Sequence, residues 1–349
     1  RAGALVTGRY VHRQAAYDLV VDGRSIGPVV NPRLISLSLT ERRGADADEL
    51  ELVLDDHDGK LAIPPAGAVV TLKLGWLDLA EGATPQLVDK GTFKVDERSH
   101  AGTPDQLTIR ARSADLTRAF RRRRAETWRE TTLGKVLSDI AARNGLQPHV
   151  SAEMAAAQIS HLNQSRESDS ALLARLGRMY DAVATVKAGR LLFAAVGAGE
   201  TAGGGTIPPA TITRADGDRH RWKAAERENY SGVVAEFHDR STGQRRSVTA
   251  GGAGNAQRLG RTYASERSAR RAAEAQRARQ ERKGAEFSIE LAAGRPDLYP
   301  ERRLTVSGFK PEIDGTDWLI SQVVHRLDAG GGFRTNLENE KAAAPARAR

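Results

Sequence analysis

The side chains with the most chemical promise are Glu167-Ser168-Asp169, two carboxylates flanking a hydroxyl. Paired carboxylates are the minimum equipment for glycoside hydrolysis, one as acid and the other as nucleophile or base. The triplet, however, stands directly ahead of Leu172, Leu173, Leu176, Met179 and Tyr180, which read as the inward face of a helix. At that place a serine caps the helix and an acidic residue compensates its positive end. Capping is therefore the expected role of 167–169. A second acidic stretch, Asp55-Asp56-His57-Asp58-Gly59-Lys60, is similar to a calcium loop. Aligned on Gly59, its first ligand position is Leu54 and its twelfth is Pro65, so the required carboxylates are missing. A turn between strands is expected there, with His57 a turn residue and not a ligand.

Other signatures fail on spacing. Gly254–Thr262 (GNAQRLGRT) has five residues between its glycines and Arg261 where a P-loop needs Lys. Gly197–Gly203 (GAGETAG) is one residue too long for a dinucleotide fingerprint and leads to Pro208-Pro209, not to a helix. The eight histidines contain no HExxH pair, and no serine sits in a GxSxG elbow. With no cysteine, disulfides, thiolate-ligated zinc and thiol nucleophiles are excluded. No catalytic, cofactor-binding or metal-ligating residues are assigned, and no cofactor or small-molecule substrate is expected.

Charge is the next signal. The 349 residues carry a net charge of +9, enough chain for two or three domains. Residues 219–283 hold 16 Lys/Arg against 7 Asp/Glu, a surplus equal to that of the whole chain. Such a segment suits nucleic acid or an acidic protein surface, or else a solvated helix face laced with i,i+4 pairs. Arg121 to Arg124 form a second basic run, read as a loop or domain boundary, with nucleic-acid contact as the sharper alternative. The start, RAGALVTGRYVHR, has no apolar core, and no run of 18 apolar residues occurs. Neither a signal peptide nor a membrane span is expected.

The elements that would position these residues follow from periodicity. From Ala15 to Arg112, alternating strands separated by Gly, Pro and Asp predict a small barrel or sandwich, with a hairpin at Asp22-Gly23. Leu133, Val136, Leu137, Ile140 and Ala141 mark one helix face, capped by Thr131 or Thr132 and stopped by Asn144-Gly145. A second helix starts at Ser168-Asp169, and VATVK and RLLFAAV form a hairpin about Ala188-Gly189. From Ile207 strands return, with GGAGNAQ as a flexible loop and a long helix over 264–284 whose apolar side is mostly alanine. The fold class is α+β, mainly β: two barrel-like β domains bridged by a small α/β module, with the long helix inserted in the second barrel. The predicted divisions are 1–125, 126–205, 206–340 and a disordered tail, 341–349.

Four stretches together carry a family resemblance: Leu54–Trp76, Trp128–Val150, His161–Phe193 and Gly294–Asp328. The specific part is His161-Leu162, Gln164 and Glu167-Ser168-Asp169 ahead of leucines 172, 173 and 176. These stretches resemble the phage late control D family, the baseplate hubs of contractile tails, which are related to the hub part of VgrG. The likeness spans roughly Leu34 to Glu340. It implies a homotrimeric ring that adapts a six-fold tail tube to a three-fold spike, with no catalytic residue to inherit. Implied partners are the tail tube or tube-initiator protein, a separate spike protein, baseplate wedge proteins and the tape-measure protein. The implied location is the baseplate of a phage or tailocin-like particle made in the bacterial cytoplasm. The alternatives are a peptidoglycan-degrading tail enzyme and a basic nucleic-acid-binding protein.

Overall fold

Alternating leucines build the first part of the molecule. In the computed structural model, strands Leu34–Arg42 and Glu49–Asp55 pair antiparallel and bury Leu37, Leu39, Leu50, Leu52 and Leu54 on one face. A period of two sends alternate side chains to one side of a sheet, so an alternating sequence folds with one dry face. The structure describes residues 13–44, 47–79, 83–113, 118–187, 189–201, 203–224, 230–239, 241–329 and 332–343. The start read for a signal peptide (1–12) and the tail residues 344–349 lie outside them, whereas Lys341 still belongs to a strand.

The mainly β, α+β class is as expected, but the two β segments meet directly. Strand Trp318–Asp328 pairs on one side with Gly332–Lys341 and on the other with Leu34–Arg42, in register from Gln322↔Arg42 to Asp328↔Ser36. One sheet of 13 strands therefore runs through both segments. Its main path runs from Gly217–Ala224 at one end to Arg13–Val21 with Arg24–Ser25 at the other, and Arg303–Ser307 with Ala210–Thr213 branches from Trp318–Asp328. Barrel closure is not part of the pairing: no pair among the described strands closes either half on itself. Each half keeps its own hydrophobic cluster, one around Leu39, Leu72 and Phe93, the other around Phe287, Trp318 and Ile320.

The module between them has the expected helices. Leu133–Arg143 starts where Thr132 Oγ1 accepts from Lys135 N–H (3.2 Å), and it stops at Asn144 before Gly145, whose φ is +70°. A left-handed φ carries little steric cost for glycine, which is why the stop falls there. Asp169–Tyr180 is capped by Ser168, and the hairpin Ala182–Lys187/Arg190–Ala195 follows. Sequence reasoning missed three strands here, one of them Gln147–Val150, which pairs parallel with Arg190–Ala195. Arg123–Thr132 and Gln158–Ser168 pair antiparallel, and Trp128 and Leu162 on them are buried beneath the helices.

The long helix, expected at 264–284, runs Glu266–Lys283 between caps Ser265 and Gly284. In the chain it is inserted, as expected, between Gly217–Ala224 and Ala285–Leu291, two paired strands of the large sheet. It lies on a separate three-stranded layer made by Gly232–His238, Arg245–Gly251 and Ala256–Tyr263. The last of these strands takes in the end of the supposed GGAGNAQ loop. Ala269 and Ala273 are fully buried against Val233, Ala235 and Phe237, so the alanine stripe is an interface for close approach within the chain. Ala273→Leu is expected to force helix and layer apart and to cost about 1–3 kcal/mol, read as a lower urea midpoint.

Candidate functional site: an ionic seam and an arginine-lined groove

The residues singled out for chemistry are used structurally. Ser168 Oγ accepts from Ala171 N–H (3.2 Å), which is the expected cap. Glu167 is held by Arg175, with Nη2 to Oε2 at 2.7 Å. Asp169 is fully buried and does more than compensate a helix end. It accepts from Arg143 Nε (2.9 Å), Asn144 Nδ2 (2.8 Å) and Gln164 Nε2 (2.8 Å), and Arg124 lies 3.4 Å away. One carboxylate thus ties both helices to strands Arg123–Thr132 and Gln158–Ser168, and it is out of reach of any substrate.

The acidic turn is equally committed. Asp58 binds Arg33 (2.7 Å), Asp55 binds the His57 backbone and ring (3.0 and 2.8 Å), and Asp56 accepts from Leu61 N–H (2.9 Å). Arg33 holds the Asp58 carboxyl far below the usual range. Among the described residues no cluster of His, Asp and Glu could hold a metal ion.

A network that sequence reasoning overlooked lies where the sheet, the module and the long helix meet. Glu41 is 2% exposed, and Lys90 Nζ stands 2.6 Å from its Oε2. Lys90 also donates to the carbonyls of Pro296 (3.1 Å) and Leu298 (3.4 Å), joining the two β segments. His325 Nε2 approaches the same Glu41 oxygen at 3.3 Å, while its Nδ1 is 2.9 Å from Thr335 Oγ1. Lys187, from the module hairpin, reaches Glu41 (3.8 Å) and Asp48 (3.5 Å). Burial alone would raise the Glu41 carboxyl; Lys90, His325 and Lys187 together bring it down to about 2. Burial and then Lys90 push the His325 imidazole below its ordinary value.

A second set of charges continues this seam. Arg282 of the long helix is 4% exposed and binds Asp181, at the end of helix Asp169–Tyr180, through two bonds of 2.5 and 2.6 Å. Its Nε lies 2.9 Å from Glu340, which Arg43 also engages together with the buried Glu301. Burial disfavours the Arg282 charge, but Asp181, Glu340 and Glu301 outweigh it and raise its pKa. The overlooked signal was phase. Glu41 continues the Leu37, Leu39 alternation, and His325 stands between Val323 and Leu327, so both occupy inward positions.

The basic stretches separate into two environments. On the long helix, Arg270 and Arg277 form i,i+4 pairs with Glu266 and Glu281 (both 2.7 Å). Arg271 donates to Tyr180 Oη (2.7 Å) with its guanidinium 4.4 Å from the ring centre. This helix therefore spends Arg271 on its own chain's module. At 121–124, Arg121 ends a short helical turn and Arg123 begins a strand, so this is a junction and not a loop. Arg121, Arg123, Arg166 and Arg175 line an open groove of about 600 Å³ with Asn163, Ser165, Glu167, Ser168 and Ala171.

Solved structures that share this fold include phage tail proteins and a type VI secretion component. A tail protein from Neisseria meningitidis MC58 superimposes with a TM-score of 0.65 at 12% identity, covering 94% of this chain and 97% of its own. An E. coli protein, c3393, described as a type VI secretion component structurally similar to the T4 tail proteins gp27 and gp5, gives 0.51 at 12% identity over 94% and 77%. At such identities the likeness is one of fold. Sequence goes further: residues 49–331 match the family described as phage tail baseplate hub (GPD). The probable baseplate hub protein of Escherichia phage 186 is 41% identical across 93% of this chain and 92% of its own length. The chain belongs to the phage tail baseplate hub family, as the resemblance in its middle stretch implied. Its function in the sense that family defines is that of a baseplate hub.

Proposed function

We propose that three copies of this chain close into a ring that adapts a six-fold tail tube to a three-fold spike. The observation that carries this reading is the continuous sheet. Each chain brings two β segments, each with its own hydrophobic cluster, held in one fixed relation by the Leu34–Arg42/Trp318–Asp328 pairing. Three chains then offer six β segments on one face while keeping three-fold symmetry on the other. A heterologous ring needs complementary patches on every protomer and a body that does not flex between them. The buried seam supplies that rigidity, since Lys90, Lys187 and Arg282 bind sheet, module and long helix together. In working terms the chain divides near 1–125, 126–205 and 206–340, with the 123–132 strand serving the middle part.

The partners in this reading are a tail tube or tube-initiator protein, a spike protein, wedge proteins and the tape-measure protein, in the baseplate of a phage or tailocin-like particle. The chain is read as non-enzymatic, because both carboxylates of the most tempting pair are bound by arginines. Native mass spectrometry of purified chain tests the ring: the expected species has three times the 37.7 kDa chain mass. A monomer at all concentrations that also never enters particles overturns the reading. Zymography on peptidoglycan is expected to give no cleared band.

A further inference from the structure

We propose that the groove between strands Arg123–Thr132 and Gln158–Ser168 and helix Asp169–Tyr180 is a docking site for an acidic, extended segment of a neighbouring protein, with Arg121, Arg123 and Arg166 gripping its carboxylates. All three arginines are exposed, and none forms an ion pair with any described residue. The fourth, Arg175, is neutralised by Glu167 (2.7 Å). Three positive charges, unmatched among the described residues, thus share a groove of about 600 Å³. Like charges gathered in one concavity repel, and an anion bound there relieves the repulsion. Guanidinium groups match carboxylates two bonds at a time, which gives such a contact direction as well as attraction.

The backbone aims these groups. The strand pairing shifts register between Ser165 and Glu167, and Arg166 sits in that bulge at φ +50°, a conformation suited to glycine. Bulges re-aim side chains, and this one places an arginine at the groove in a backbone that arginine seldom adopts. Asn163 and Ser165 add short polar groups, and Ala171 is the only apolar side chain among the described lining residues. The lining therefore selects for charge and against a hydrophobic ligand.

Nucleic acid fits less well. Among the described residues no aromatic ring lines the groove, so bases have nothing to stack on. The run Arg121–Arg124 is also interrupted as a phosphate track, because Arg124 turns inward to Asp169 (3.4 Å). The volume lies within the range of ligand clefts, roughly 300–1,000 Å³, and suits a few side chains better than a duplex.

That the segment comes from a neighbouring tail protein rests on the hub reading; the grip on carboxylates does not. The test uses the purified full chain and a fluorescein-labelled hexaglutamate peptide, followed by anisotropy at low salt. Arg123→Glu/Arg166→Glu is expected to weaken binding at least about ten-fold. Arg219→Glu/Arg221→Glu, on the equally basic edge strand Gly217–Ala224, is expected to change it less than about two-fold. Should the first variant unfold, Arg123→Gln/Arg166→Gln carries the same expectation with a smaller loss. The proposal is overturned by absent hexaglutamate binding, by equal losses in both variants, or by a duplex of about 20 base pairs that binds more tightly and is lost with the same substitutions. A chain that binds the peptide but never forms a trimer refutes the ring and leaves the groove standing.

Discussion

Asp169→Ala is expected to lower the unfolding free energy by about 3 kcal/mol, while Glu167→Ala, two residues away, costs about 1 kcal/mol or less. The two carboxylates look equivalent in sequence and differ completely in surroundings. Asp169 is fully buried, and its removal takes one acceptor from each of Arg143, Asn144 and Gln164, the last itself 1% exposed. A buried polar group stripped of its partner bears the full desolvation penalty. Arg175, the partner of Glu167, is about one-third exposed, so water replaces that lost bond. Urea denaturation of both variants, with the urea dependence compared for each, checks the contrast. Equal midpoints would mean that Asp169 is only a helix-end charge after all.

Lys90→Met is expected to have the largest effect in the seam, about 3–5 kcal/mol. It leaves the Glu41 carboxylate buried beside the His325 ring, with the half-exposed Lys187 as its nearest remaining positive group. Glu41→Leu/Lys90→Met, which removes charge and countercharge together, should recover most of that loss, because a matched apolar pair needs no desolvation. The same seam sets a pH dependence. The Glu41 carboxyl lies at about 2 in the folded chain against an ordinary 4.5, so its stabilisation is present above about 4.5 and is lost as pH falls toward 2. His325 is displaced below 6.5, so the unfolded chain takes up a proton first and stability also declines below that value. Both effects act in one direction. The urea midpoint should fall between pH 7 and pH 3, and the fall should be smaller in Glu41→Leu/Lys90→Met than in the parent.

These predictions bear on hub function through rigidity. Lys90 bonds to carbonyls of the second β segment from a strand of the first, and Arg282 bonds the long helix to the module and the sheet. Loosening either should disturb how the two β segments are presented to a ring of neighbours before it disturbs any single strand. A variant that remains folded yet assembles poorly would separate these two consequences.

What the sequence determined by itself is local. The leucine alternation at 34–54, the Thr132 and Ser168 caps, the stop at Gly145 and the hairpin at Asp22-Gly23 all depend on residues a few positions apart. Periodicity and turn chemistry report such contacts directly. The family was legible for a related reason, since the capped helices and the motif around Glu167-Ser168-Asp169 form one continuous stretch. Only the tertiary structure decided which charges meet. Arg43 and Glu340 are 297 residues apart, Trp76 donates to the Gly294 carbonyl across 218, and Lys90 reaches Pro296 across 206. Strands Arg123–Thr132 and Gln158–Ser168 were missed because mostly polar residues fill them, with too few apolar positions to mark a period of two. They became strands because Trp128 and Leu162 found a core beneath two helices. That same pairing opened the arginine-lined groove and turned Asp169 inward, so a triplet that looked like a reactive pair became one buried bracket and one surface ion pair.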